Sequence, residues 1–360
     1  MPAQVYEELR SLLDRHPCGC PAAPEIYEIL ALLFSADEAR VAVAMGFRPD
    51  IAAAIAARVG SGEAEVVVHL EALADRGIVF ARDKNGERGY SLLPVMPGLF
   101  EFPYMKGGES ELTRRLSPLW DTYLVKLGKG FGVPDTSFSR IVPIQEQIQS
   151  EPGVLPYELV YDLIEKAKVT GIAHCACREQ AGRCDAPREA CMLFDETCTF
   201  LVERGFARYL SKDEMKQKLR EFDEAGLVHQ INNGQDSVTF ICNCCPCCCG
   251  LLRALTEAKN PNVLSSSGFL PRVDAERCTE CGTCAERCPT KAVRDEGGVF
   301  AYEEEKCIGC GLCVTGCPQN ALELVRRDGV PVPPPTMRDM GLRILTAQGR
   351  LEDFLELLNR

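Results

Sequence analysis

Four cysteines and a proline recur at one spacing in two segments, Cys278-Thr279-Glu280-Cys281-Gly282-Thr283-Cys284-Ala285-Glu286-Arg287-Cys288-Pro289 and Cys307-Ile308-Gly309-Cys310-Gly311-Leu312-Cys313-Val314-Thr315-Gly316-Cys317-Pro318. Three cysteines of each segment fall on one tight loop, so their thiolates can hold three corners of one metal cluster. The fourth cysteine, three residues further on and followed by proline, points away from that loop. The repeat predicts a small pseudo-symmetric domain over residues 269–327.

The thiolate chemistry of this spacing is that of iron–sulfur clusters, which usually take four cysteines each. The two segments resemble bacterial-type two-[4Fe-4S] ferredoxins at every ligand position and at both prolines. In two-cluster ferredoxins the fourth cysteine of each segment binds the other cluster. That rule assigns cluster I to Cys278, Cys281, Cys284 and Cys317, and cluster II to Cys307, Cys310, Cys313 and Cys288. Zinc is the alternative, but zinc sites favour paired cysteine knuckles, which the doubled spacing does not match.

Local structure around the two segments is also predictable. Gly282 and Gly311 occupy equivalent positions, where the lack of a side chain lets the backbone approach a cluster. Val299–Tyr302, between the segments, predicts a short strand. The segments after each Cys-Pro pair, Thr290–Val293 and Gln319–Leu322, predict the beginnings of helices.

The composition supports a metal-binding function for the cysteines. The chain has 360 residues, of which 21 are cysteine, 46% are hydrophobic and 26% are charged, with a net charge of −12. No apolar run approaches the ~18 residues of a membrane helix, and the N-terminus lacks the pattern of a secretory signal. We therefore expect a cytoplasmic protein, in which thiols are kept reduced and serve as metal ligands. The negative charge argues against nucleic-acid binding.

A second concentration of cysteines lies in two segments of the middle region, one of which carries six cysteines within eight residues. Six thiols cannot all bind one small ion, and a strand would send alternate side chains to opposite faces. We expect one or two additional iron–sulfur clusters, at least one of which draws ligands from both segments. Burial as small apolar side chains is the alternative for some of them. The ten candidate ligands are Cys175, Cys177, Cys184, Cys191, Cys242, Cys244, Cys245, Cys247, Cys248 and Cys249.

This region resembles a widespread group of prokaryotic iron–sulfur proteins over roughly residues 150–325. The group shares a C-x-C-R…C-D-x-P…C block, an N-C-C-x-C-C-C block and a C-terminal two-cluster domain, and the chain matches them at Cys175–Arg178, Cys184–Pro187, Cys191 and Asn243–Cys249. The resemblance implies an electron-transfer role and no particular substrate.

Two residues beside the first block are candidates for tuning a cluster. A cation near a thiolate cluster stabilises its reduced form. Arg178 could supply that cation, or it could form an ordinary ion pair. His174 could tune the cluster or serve as a ligand.

Three further cysteines give weaker signals. Cys18 and Cys20 lie beside His16 in a proline-rich loop, where the three side chains fall short of four ligands. We expect a structural role for this group. Cys198 is expected to be a buried small side chain.

The predicted fold class is α+β and multidomain. Residues 1–105 resemble a winged helix, with helices over Asp50–Val59 and Glu63–Arg76 and a hairpin that turns at Asn85-Gly86. Residues 106–268 form an α/β cysteine-rich middle domain, residues 269–327 the two-cluster domain, and residues 328–360 a proline-rich linker followed by a helix. That helix either docks on the body of the protein or meets a partner.

Three functions are compatible with these features. The first is a ferredoxin-like electron carrier or an electron-transfer subunit of an anaerobic redox complex, with redox proteins as partners. The second is a reductase whose middle cluster is catalytic and receives electrons from the ferredoxin domain. The third is a redox-sensing regulator, but residues 49–93 carry seven acidic and five basic side chains, too little positive charge for DNA. No motif for hydride transfer, phosphoryl transfer or hydrolysis is present. An oxidoreductase activity at an iron–sulfur centre is the one enzymatic activity that the sequence leaves open.

Overall fold

Helices form most of the first third of the chain. The computed structural model describes residues 2–148, 154–296 and 299–358. The elements of this region are α1 (Pro2–Asp14), α2 (Pro24–Leu33), α3 (Ala36–Val43), β1 (Asp50–Ile51), α4 (Ala52–Val59), α5 (Glu63–Asp75), β2 (Val79–Lys84), β3 (Glu87–Leu92) and α6 (Glu111–Lys129). The helix predicted from Asp50 begins at Ala52, because Asp50 and Ile51 pair with β3 instead. The three strands form an antiparallel sheet in the order β1-β3-β2.

A seven-stranded sheet organises the middle region. Its elements are β4 (Ser139–Ile141), α7 (Val160–Lys166), β5 (Thr170–His174), α8 (Ala176–Ala181), β6 (Glu189–Phe194), α9 (Asp195–Glu203), β7 (Ala207–Tyr209), α10 (Lys212–Glu224), β8 (Val228–Asn232), β9 (Phe240–Cys244), α11 (Gly250–Thr256) and β10 (Leu264–Ser265). The strand order is β10-β4-β8-β9-β6-β5-β7. Every pairing is antiparallel except that between β10 and β4.

Two hydrophobic cores lie on opposite faces of this sheet. Along β6, Cys191 and Leu193 belong to one core, whereas Ala190, Met192 and Phe194 belong to the other. This alternation follows from the two-residue period of a strand. The first core continues into the N-terminal helices and α6, and the second includes α7 and α10. Neighbouring residues of one strand can therefore line two separate sites.

The cysteine repeat folds into two short two-stranded sheets and two single-turn helices. Its elements are β11 (Phe269–Val273), α12 (Thr283–Glu286), β12 (Val293–Glu296), β13 (Val299–Tyr302), α13 (Leu312–Thr315) and β14 (Leu322–Arg326). Strand β11 pairs with β14, and β12 with β13. The strand predicted at Val299–Tyr302 is present.

The prediction of a helix after each Cys-Pro pair is wrong. The helices lie before the prolines, each beginning after a glycine in the left-handed conformation, Gly282 (φ 77°) or Gly311 (φ 81°). Each helix ends three residues before its proline, at Glu286 or Thr315, and proline disfavours helical geometry in the residue before it. The chain after each proline turns and enters β12 or β14.

The C-terminal segment docks on the N-terminal helices. It contains two helices, α14 (Met337–Ala347) and α15 (Leu351–Leu358), rather than the single helix expected. Gly349, at φ 68°, lies in the break between them. Met340, Ile344 and Leu357 join the core that contains α1, and Arg350 donates a hydrogen bond to the Asp14 carbonyl oxygen. No helix in the described part of the chain is long and apolar enough to cross a membrane.

Candidate metal centres

The pairing of strands β6 and β9 brings the first group of thiols together. Cys191 on β6 lies directly opposite Cys242 on β9. Cys244 is two residues beyond Cys242 on β9, so its side chain lies on the same face of the sheet as those of Cys242 and Cys191. Cys191 and Cys244 are buried and belong to the core shared with the N-terminal helices.

The N-terminal ends of helices α8 and α11 supply the remaining thiols of this site. Cys175 immediately precedes α8 and Cys177 lies in its first turn, whereas Cys249 immediately precedes α11. Thiol hydrogen bonds from Cys177 and Cys244, followed by backbone N–H groups of α11, lower the pKa of Cys249 well below its usual value. Side-chain interactions connect neighbouring thiols throughout the group. We call this group the six-thiol site: Cys175, Cys177, Cys191, Cys242, Cys244 and Cys249.

The remaining four candidate cysteines of the middle region form a separate, more compact group. Cys245 immediately follows β9 and belongs to the core on the opposite face of the sheet from Cys244, and Cys248 belongs to that same core. The Cys184 sulfur lies 3.6 Å from the Cys245 sulfur and 3.8 Å from the Cys248 sulfur, and the sulfurs of Cys247 and Cys248 are 3.7 Å apart. All four sulfurs lie within 4.8 Å of one another. We call this group the four-thiol site: Cys184, Cys245, Cys247 and Cys248.

Arg178 lies between the two sites and is fully buried. Its guanidinium donates hydrogen bonds to the carbonyl oxygens of Pro187 and Asn243. Burial opposes its charge, but the thiols of Cys175 and Cys245 raise its pKa. A hydrogen bond from Cys248, followed by the Arg178 charge, lowers the pKa of Cys245 to about 4. Arg178 thus supplies positive charge to thiolates of both sites.

The other tuning candidate, His174, points to a carboxylate. Its Nδ1 lies 3.0 Å from Glu179 Oε1, and Glu179 also faces Arg188 at 3.6 Å. The ring packs on Gly107, where any added Cβ would lie 2.4 Å from Nδ1. The structure therefore gives His174 a positioning contact with Glu179.

Sequence reasoning missed a carboxyl group beside the six-thiol site. Glu101 accepts a 2.7 Å hydrogen bond from the backbone N–H of Gly98. Burial, together with the charges of the nearby Cys242 and Cys175 thiols, raises the pKa of Glu101 to about 8. No spacing pattern links Glu101 to the cysteines, so only the tertiary fold reveals it.

A buried polar row leads away from the six-thiol site. Asn243 stands between Cys242 and Cys244, and its Oδ1 lies 2.7 Å from His229 Nδ1. His229 Nε2 is 3.6 Å from Asp223 Oδ1, and both side chains are about 1% exposed. Cross-strand pairing of His229 with Asn243 fixes this row. Sequence analysis gave no role to these three residues.

The four cysteines assigned to cluster I face a common space. Cys278, Cys281, Cys284 and Cys317 all line one cavity, together with Phe300. The Cys317 sulfur accepts a 3.3 Å hydrogen bond from the Ala321 N–H. Such N–H donors stabilise thiolate ligands.

The four cysteines assigned to cluster II are electrostatic neighbours of one another. The charges of Cys288, Cys307 and Cys313 all act on Cys310. The Cys288 sulfur accepts a 3.2 Å hydrogen bond from the Ala292 N–H, which repeats the arrangement at Cys317. The donor sets and this matched hydrogen bonding fit two clusters with exchanged fourth ligands.

The two ends of the repeat differ in exposure. Cys281 is exposed to solvent. At the other end, Ile308 and Leu312 are buried in the core that also contains Cys244 of the six-thiol site. Arg287 connects the same two regions, since it donates to the Leu312 carbonyl (3.0 Å) and to the Asp223 carbonyl (2.8 Å). The cluster II end therefore faces the middle region and the cluster I end faces solvent.

The three remaining cysteines belong to none of these thiol groups. Cys18 and Cys20 are buried in the N-terminal core, where Tyr123 Oη donates to the Cys20 sulfur at 3.5 Å. Burial raises the pKa of Cys18 and of Cys20 to about 12. Cys198 is fully buried on α9, against Gly171.

Comparison with known proteins identifies one part of the chain. Residues 270–329 match the family model of the 4Fe-4S dicluster domain. No curated protein and no solved structure matches the chain. The cysteine sets and this match support an iron–sulfur, electron-transfer role. In particular, the chain carries a ferredoxin-like 4Fe-4S dicluster domain.

Proposed function

We propose that the chain relays single electrons between redox proteins in the cytoplasm, as a ferredoxin-like carrier or as a subunit of an anaerobic electron-transfer complex. The redox chemistry comes from [4Fe-4S] clusters on the two ferredoxin ligand sets and from one further iron–sulfur centre on the six-thiol site. The observation that carries the proposal is the spatial order of these ligand sets. They run from the exposed Cys281, through the cluster II set, to the buried thiols of Cys191 and Cys244.

The exposed end suits a docking role. Glu276, Glu280 and Glu286 surround the cluster I cysteines and are exposed. Acidic side chains at this edge favour encounter with a basic-rimmed partner, because complementary charge steers association. We therefore propose a redox protein with a basic contact surface as the partner.

The N-terminal region serves as a structural or protein-docking module in this proposal. The helices α4 and α5 with the sheet β1-β3-β2 resemble a winged helix. However, the helix that would read DNA, α5, is acidic, and Arg204 of the middle region pairs with its Glu71 at 2.7 Å. The lack of phosphate-neutralising charge disfavours nucleic-acid binding.

Metal analysis and EPR test the electron-transfer proposal. The full chain would be purified anaerobically, assayed for iron and sulfide, and titrated electrochemically while EPR spectra are recorded. Two cubanes account for about eight irons per chain, and an additional centre requires more. A protein with no reducible signal after full iron loading would contradict the proposal.

Two serine variants test the separation of the centres. Cys281→Ser should damage cluster I, and Cys310→Ser should damage cluster II, because each removes one thiolate from one ligand set. Each should leave the signal of the middle centre intact. EPR spectra and iron content measure the effect. If both variants lose all visible-region absorbance, the division into separate centres is wrong.

A second candidate function is a reductase whose middle centre reacts with a small substrate. Glu101 favours it, because a carboxyl group next to Cys242 and Cys175 offers a proton donor beside a metal centre. Six thiols also exceed the four that a cubane needs. The sites therefore allow a centre that is not a simple electron relay.

An added small ligand separates the two candidate functions. If the middle centre has an iron position open to substrate, cyanide added to the reduced protein should change its EPR signal and leave the two ferredoxin signals unchanged. A fully ligated relay centre should show no change. The Cys281→Ser protein provides the control, because its middle centre should respond as in the wild type.

A further inference from the structure

We propose that the four-thiol site binds one zinc ion in a closed, structural site, separate from the iron–sulfur centres. The ligands are Cys184, Cys245, Cys247 and Cys248. Their sulfurs converge on a single point between the loop after α8 and the turn after β9. This assignment does not depend on the electron-transfer proposal, which concerns the other ligand sets.

The sulfur spacing is that of ligands that share one metal ion. Zinc–thiolate bonds are about 2.3 Å long, and the edge of the corresponding tetrahedron is about 3.8 Å. Three sulfur–sulfur distances in the site are 3.6, 3.7 and 3.8 Å, and all four sulfurs lie within 4.8 Å of one another. A cubane needs wider spacing, because each of its four cysteines binds a different iron atom.

The rest of the chain provides an internal comparison. In the described residues, no other group of three or more cysteine, histidine or carboxylate side chains lies within 4.8 Å of one another. The ferredoxin ligand sets and the six-thiol site are thus more open than the four-thiol site. The chain therefore contains one compact thiol group, the four-thiol site, beside thiol groups that are more widely spaced.

The local sequence also matches a zinc site. Cys245 and Cys248 have the C-x2-C spacing of a zinc knuckle. The Cys249 N–H closes the turn by donating to the Cys245 carbonyl at 3.1 Å, and the Arg183 side chain donates to the Cys247 carbonyl at 3.3 Å. These contacts fix the turn that carries three of the four thiols.

The choice of metal follows from the donor set and the surrounding charge. Four thiolates in a tetrahedron suit zinc or iron, and zinc binds a given site more tightly than ferrous iron does. Four thiolates and one zinc ion carry a net charge of about −2, and the guanidinium of Arg178 lies beside Cys245. All four positions of a tetrahedral ion are filled by protein, which is typical of structural zinc.

The expected role is to fasten two segments that are far apart in sequence. Cys184 lies between α8 and β6, and the other three ligands lie between β9 and α11. One zinc ion would hold these segments together on one face of the sheet. The helices next to these segments carry thiols of the six-thiol site: Cys177 lies in α8, and Cys249 immediately precedes α11.

Zinc analysis of the full chain tests this assignment. We expect about one zinc ion per chain in anaerobically purified protein, and a zinc X-ray absorption spectrum with four sulfur neighbours at about 2.3 Å. Cys184→Ser should lower the zinc content by roughly tenfold or more and leave the two ferredoxin EPR signals. The matched control, Cys191→Ser, should keep the zinc and lose the middle iron–sulfur signal.

The wild-type measurements decide the outcome even if a variant does not fold. Protein that contains iron and no zinc at this site would overturn the assignment, as would nitrogen or oxygen neighbours in the zinc spectrum. Loss of zinc from Cys191→Ser with retention in Cys184→Ser would also overturn it. Each of these results would leave the electron-transfer proposal standing, because that proposal requires only the other ligand sets.

Discussion

Replacing Arg178 with methionine should disrupt both middle sites and destabilise the protein by about 3–5 kcal/mol, the range for removing one partner of a buried charged interaction. The side chain is fully buried, and its loss would leave the carbonyls of Pro187 and Asn243 without their donor. It would also remove the positive charge beside Cys175 and Cys245. Metal content and the midpoint of anaerobic denaturation in guanidinium chloride would measure both effects.

Two variants control this experiment. Arg178→Lys keeps the charge but loses the planar fork that reaches two carbonyls, so we expect an intermediate loss. Arg114→Met changes an exposed arginine that pairs with the exposed Glu109, and its effect should stay within about 0.5 kcal/mol. If Arg178→Met retains full metal content and stability, the bridging role of Arg178 is incorrect.

The second large effect is expected for Cys242→Ser. Cys242 lies at the centre of the six-thiol site, since it is opposite Cys191 and interacts with Cys244. The variant should lose the iron of the middle centre and its EPR signal. The two ferredoxin signals should remain, because the eight cysteines assigned to them lie in the segment 278–317 and include neither Cys242 nor its neighbouring thiols.

Cys198→Ser is the matched control for Cys242→Ser. Cys198 is also buried, but it lies on α9 against Gly171 and belongs to neither thiol site. Its replacement should preserve every iron–sulfur EPR signal and lower only the free energy of unfolding, because a buried thiol is replaced by a polar hydroxyl. Equal loss of iron in both variants would show that misfolding, rather than ligand removal, explains the result.

The ferredoxin repeat could be predicted from the sequence because its chemistry is local. Three of the four ligands for each cluster lie within one short loop, so spacing alone defines the motif. The strand Val299–Tyr302 and the helices α4 and α5 also followed from local periodicity and turn residues. The helices expected after each Cys-Pro pair did not form, because the chain turns there through the hydrogen bonds Lys291 N–H to Cys288 O and Asn320 N–H to Cys317 O. The last residue of each segment, Val293 or Leu322, then already pairs in β12 or β14.

The division of the middle cysteines could not be predicted, because it depends on contacts between distant segments. Alternation along β9 separates Cys244 from Cys245, but only the pairing of β6 with β9 places Cys191 opposite Cys242. The turn after Cys245 then returns Cys249 to the first face. Glu101 lies far upstream in the sequence, so no cysteine pattern could reveal its proximity to these thiols.

Arg287 also bears on the rate of internal electron movement. Electron tunnelling falls steeply with the separation between donor and acceptor, so a rate is well defined only if that separation is constant. Arg287 follows α12, precedes the cluster II ligand Cys288 and is tied to backbone carbonyls at the end of α10 and in α13. These bonds fasten the ferredoxin domain to the middle region beside the cluster II set. Internal transfer should therefore proceed at a rate that solvent viscosity does not change.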